Sequence, residues 1–162
     1  MLRRMRRRSF VALPAAASLA APKFQALSES EALILIALID AIIPADKDPG
    51  AKDAGVIHFI DRQLAGAHKR FAARYKAELP KLDTACRTAT GKTLAGLGLR
   101  ERTAFLELID KGEIPGGAFF QLVIDHTMQG FYGSPKHGGN RDAVSWRMMG
   151  IEKMMGHHGG HA

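Results

Sequence analysis

The chain has 162 residues, enough for one domain and too few for two. Hydrophobic residues make up 46% and charged residues 24%, which excludes a disordered or fibrous chain. Five of the 23 basic residues stand in the first eight positions, and after residue 20 the remaining 18 face 16 acids, so the net charge of +7 and pI of 9.9 describe a leader and give no nucleic-acid-binding face.

The leader comes first in the chain. Arg3, Arg4, Arg6, Arg7 and Arg8 form a basic segment, and residues 10–21 form an apolar one too short to cross a bilayer. Arg7-Arg8-Ser9-Phe10-Val11 resembles a bacterial twin-arginine signal, with Arg7, Arg8 and Phe10 as its export residues. Ser18-Leu19-Ala20 has the small residues that cleavage requires, and Ala15-Ala16-Ala17 fits nearly as well. These features divide the chain into a signal peptide over 1–20, a linker over 21–27, a helical domain over 28–155 and a tail over 156–162. The expected compartment is the periplasm. The twin-arginine route carries folded proteins, mostly ones loaded with a cofactor, yet the mature segment shows no cofactor motif. That mismatch points to a cofactor-bearing partner.

The mature chain reads as helices. Ser28 followed by Glu31 has capping-box spacing. Residues 33–43 are apolar nearly all round, so this helix is expected at the centre of the domain, ended by Pro44. Residues 44–55 are turn-rich. An EF-hand loop starting at Asp46 would need Gly where Ala51 stands and Glu where Ile57 stands. Val56, Phe59, Ile60, Leu64, Ala67, Phe71 and Tyr75 fall on one face of an expected five-turn helix. Pro80 suits the first turn of the next, with Leu82, Cys86 and Ala89 inward. Residues 94–98 connect to a helix over 100–111, with Phe105, Leu106, Leu108 and Ile109 as core. A last helix is expected over 118–129. The fold class is all-α: a compact bundle of about five to six helices with a glycine-rich C-terminal loop.

Familiar catalytic motifs are absent. The lone Cys86 rules out a disulfide framework, a four-thiolate cluster and a C-x-x-C-H haem attachment. Gly91-Lys92-Thr93 lacks the glycine five positions earlier that a phosphate loop needs. No catalytic residue and no cofactor site are assigned. In the tail, His157, His158 and His161 are candidate metal ligands, but Gly-flanked terminal imidazoles lack fixed geometry. The stretch from Gln129 to Asp142 holds four glycines, a proline and several rings. Glycine allows close backbone approach, and Tyr132, His137 and nearby Trp146 have apolar bodies with polar tips suited to an interface.

These pieces together resemble the gluconate 2-dehydrogenase subunit 3 family. The matching residues are the twin-arginine leader, Leu38-Ile39-Asp40-Ala41-Ile42-Ile43-Pro44 with Pro49-Gly50-Ala51 and Ala54-Gly55-Val56, and Gly130-Phe131-Tyr132-Gly133 leading to Gly138-Gly139-Asn140-Arg141-Asp142 and Trp146. The resemblance implies a small, non-catalytic helical subunit of a membrane-associated sugar or glycoside dehydrogenase. Its partners would be a large FAD-containing subunit of the glucose–methanol–choline type, a cytochrome c that carries haem, and the twin-arginine translocon. FAD would belong to the partner. The expected interface comprises Phe131, Tyr132, Gly133, His137, Gly138, Gly139, Asn140, Arg141 and Trp146. The competing readings are an independent periplasmic metal- or haem-binding protein, with His126 or the tail histidines as ligands, and an export chaperone that releases its client.

Overall fold

The computed structural model describes residues 24–152. The leader, including Arg7, Arg8 and Phe10, and the tail histidines His157, His158 and His161 lie outside them, as do linker residues 21–23.

Six α-helices and no strands make up the described residues: α1 Glu29–Ile42, α2 Val56–Ala65, α3 Ala72–Thr90, α4 Leu99–Asp110, α5 Gly117–Tyr132 and α6 Val144–Met148. Helix α1 starts where expected. The Ser28 hydroxyl accepts from the Glu31 N–H, and the Glu31 carboxylate accepts from the Ser28 N–H at 2.7 Å. The helix touches α2, α3, α4 and α5, and Leu35, Leu38 and Ile39 are fully buried. Burial of each such side chain stabilises the bundle by about 1.5–3 kcal/mol.

Two boundaries before α4 differ from the expectation. The five-turn helix is two pieces, because α2 stops at Ala65. Gly66 takes a non-helical conformation, φ −121° and ψ −110°, and the His68 N–H closes the end on the Gln63 carbonyl at 2.7 Å. Ala67 is therefore exposed, and Tyr75 is a core residue of α3. Pro80 does not open a helix: it lies inside α3. Proline removes one intrahelical bond, that to the Lys76 carbonyl. Both residues are exposed, so water can take the freed acceptor. Leu82 and Cys86 face inward as expected, Ala89 is exposed, and Leu108 is only half-buried. Burial pushes the Cys86 thiol up and keeps it protonated.

Two buried charges organise the bundle's corners. Arg102 donates from Nη1 to Asp40 at 2.9 Å, from Nη2 to the Leu97 carbonyl at 2.9 Å and from Nε to the Leu94 carbonyl at 3.2 Å. The acid inside the apolar helix α1 thus holds the arginine that closes the turn between α3 and α4. Asp61 on α2 is 4% exposed and accepts the N–H groups of Gln25, Ala26 and Leu27 at 2.7, 2.9 and 3.1 Å. With Phe24 and Leu27 buried, the described end of the linker is packed against the bundle.

Candidate partner interface

Helix α5 continues one turn beyond the expected end, so Phe131 and Tyr132 are helical. The chain then doubles back along α2. Near the far end of that helix, Arg62 donates from Nη1 to the Lys136 carbonyl at 3.3 Å. Gly139 lies against the Gly130 carbonyl and the Phe59 side chain, where a Cβ could not fit. At the near end, the Arg141 N–H donates to the Ala54 carbonyl at 2.9 Å. The Arg141 guanidinium covers Gly55, leaving 3.2 Å between Nη2 and an added Cβ. The loop thus runs antiparallel to α2, and it joins Ala54-Gly55-Val56 to Gly138-Gly139-Asn140-Arg141, segments more than 80 residues apart in the chain.

Asn140 fastens this loop. It is fully buried at φ 44°, donates to the Gly133 carbonyl at 2.8 Å and accepts the Ser145 N–H at 2.9 Å. Asp142 and Ala143 also have positive φ, 56° and 53°. Left-handed conformations cost non-glycine residues about 1 kcal/mol each, so the surrounding packing must over-determine them. Trp146 on α6 supplies part of it: the ring is 7% exposed and its Nε1–H donates to the Tyr132 carbonyl at 2.9 Å.

The expected interface residues therefore separate into two groups. Phe131, Gly139, Asn140 and Trp146 are buried in the chain's own fold and shape the loop from within. Gly133 and Gly138 are half-buried, while Tyr132, His137 and Arg141 are exposed. Sequence reasoning missed Met128, four residues before Tyr132 on the same face of α5. The two side chains are 42% and 41% exposed, a pair of apolar groups on one surface. A groove of about 760 Å³ lies elsewhere, between α3 and the turn before α5; Pro80, Ala85, Ala89, Ile114 and Pro115 line it.

The histidine considered as a haem or metal ligand, His126, is 3% exposed, and its Nδ1 is hydrogen-bonded to the Tyr75 hydroxyl at 2.9 Å. Its ring stacks on His68 at 4.7 Å and meets Phe71 edge-on at 5.4 Å. Among the described residues no three His, Cys, Asp or Glu side chains converge as a metal site. Burial, then the neighbouring His68, pushes His126 down to about 4, so the fold holds a neutral imidazole. The unfolded chain binds this proton more tightly. The resulting stability is fully present above pH 6.5 and is lost as pH falls from there toward about 4. Urea unfolding at about pH 7 and about pH 4.5 should differ by about 2 kcal/mol through this site. The His126→Gln variant should lose most of that difference, and an unchanged pH dependence would remove His126 as its source.

A family model described as Gluconate 2-dehydrogenase subunit 3 matches residues 29–152. The chain belongs to the gluconate 2-dehydrogenase subunit 3 family. The match runs from the first turn of α1 past the end of α6, so the loop against α2 and the Trp146 helix are within the family domain. No curated protein and no solved structure matches the chain. The family's name describes a dehydrogenase subunit, in keeping with an accessory role, and the all-α bundle is the architecture that the sequence led us to expect.

Proposed function

We propose that this chain is the non-catalytic small subunit of a periplasmic FAD-dependent dehydrogenase acting on a sugar or glycoside. It binds the large flavoprotein subunit in the cytoplasm, escorts it through the twin-arginine translocon and remains bound as a stabilising partner. FAD belongs to that glucose–methanol–choline-type subunit, and haem c to the cytochrome that takes the electrons. The observation that carries the reading is the family match over 29–152. The twin-arginine pattern at Arg7 and Arg8 supports the export role. The surface beside the α2 loop, with Tyr132 and Met128 outward, is the proposed interface. An exposed ring on a rigid scaffold has the amphipathic character of an interface anchor.

Affinity purification of the tagged full chain from its own host tests the reading. The expected product contains a large subunit with flavin absorbance and sugar-dependent dye reduction. Tyr132→Ala should weaken the complex by about 2 kcal/mol with the melting of the small subunit unchanged. Trp146→Ala should lower thermal stability as well, because the indole holds the loop from inside. Full complex yield with Tyr132→Ala would move the interface to another face.

A further inference from the structure

The charges on this bundle are unevenly paired. Among the described residues all five ion pairs involve α1, α3, α4 or the turns beside them: Glu78–Lys81, Asp83–Arg87, Lys92–Glu101, Asp40–Arg102 and Glu107–Lys111. None involves α2, α5 or the loop after α5 that packs along α2. On that side Arg62, Lys136 and Arg141 are exposed and have no carboxylate within ion-pair distance. The two arginines are not loosely placed. Arg62 is fixed by its bond to the Lys136 carbonyl, and Gly138 lies beside its guanidinium, with 3.3 Å from an added Cβ to Cζ. Arg141 is anchored by its backbone at Ala54, its guanidinium lying over Gly55. Gly55 and Arg62 are seven residues apart, two turns along one face of α2, so the two guanidinium groups mark the ends of a short row about 10 Å long. His137 and Asp142 are the other exposed polar residues of the loop, and Asp142 offsets only one of the three charges.

We propose that this row is an electrostatic docking strip for an acidic protein surface, namely carboxylates on the flavoprotein subunit. The inference rests on the accessory-subunit reading and gives it a definite contact chemistry. Guanidinium groups held in place lose little freedom when they pair, and they bind carboxylates in a forked geometry. Charge complementarity of this kind sets encounter rate and orientation. An anionic membrane is the weaker fit, because lipid recognition uses clusters of four to eight basic residues, and this row has three.

The test uses the full chain and the flavoprotein that co-purifies with it. Binding of the separated subunits is measured at about 50 mM and about 300 mM salt. Wild-type binding should weaken as salt rises. Lys136→Glu with Arg141→Glu should weaken binding at low salt at least about tenfold and flatten the salt dependence, with an unchanged circular dichroism melt. The charge-preserving pair Lys136→Arg with Arg141→Lys should retain most of the affinity. Wild-type affinity in the charge-reversed variant would overturn the docking strip while leaving the subunit reading intact. Absence of any flavoprotein from the wild-type purification would overturn that reading itself. Binding of the wild-type chain to anionic phospholipid vesicles, lost on charge reversal while flavoprotein binding persists, would assign the row to lipid and overturn the proposal.

Discussion

Replacing Arg7 and Arg8 together with lysine is expected to abolish periplasmic dye-reducing activity. The substitution keeps the charge of the leader, so a signal that worked by electrostatics alone would still function. Guanidinium groups make forked hydrogen-bonded contacts that a lysine ammonium reproduces poorly. The small subunit should then remain in the cytoplasm. If it escorts a flavoprotein without a signal of its own, that subunit should be stranded with it, folded and FAD-loaded. Fractionation followed by an activity stain follows both proteins at once. Flavoprotein reaching the periplasm while the small subunit is trapped would refute the escort role and spare the subunit assignment. Normal export of both would show that the leader is not a twin-arginine signal.

Asp61→Ala should be the most damaging single substitution in the folded domain. One carboxylate, 4% exposed, accepts three consecutive backbone N–H groups from residues 25–27. Hydrogen bonds to a charged acceptor contribute about 1.5–3 kcal/mol, and a buried N–H left without a partner carries its own desolvation cost. The N–H of Leu27 is in that position, because its bond to Asp61 is buried. A loss of about 3 kcal/mol is expected, a fall in Tm of about 10 °C for a domain of this size. Asp61→Asn keeps one acceptor oxygen and should lose less. The same clamp holds residues 25–27, just before α1, against α2. Loosening it should also expose residues 24–27 to protease while α3 and α4 stay protected. A loss below about 1 kcal/mol in Asp61→Ala would show that water replaces the carboxylate at little cost.

Local rules made much of this molecule legible from the chain. The Ser28–Glu31 capping box, the all-round apolar α1 and its end at Pro44 are short-range features, and each lies within a few residues of what causes it. The motifs that carry the family resemblance, Ala54-Gly55-Val56 and Gly130 to Trp146, could likewise be picked out in the sequence. Their meeting along α2 could not, because it depends on α5 returning beside α2. The same limit hid Asp61, whose partners are 34–36 residues away, and the Asp40–Arg102 pair, separated by 62. Periodicity also carried the expected helix across Gly66, where a backbone without Cβ leaves the helical conformation and the Gly66 and His68 N–H groups both close the end on the Gln63 carbonyl. At the loop, ring and glycine content marked a surface feature correctly but gave no direction to its side chains. Burial decided that. Asn140 and Trp146 satisfy backbone groups of Gly133, Ser145 and Tyr132, that of Ser145 buried, which turns them inward and leaves the side chains of Tyr132, His137 and Arg141 outside. The sequence by itself determined the helical class, the family and the cap of its central helix; the tertiary structure decided which side of the loop meets solvent, because only packing makes a polar group's partners obligatory.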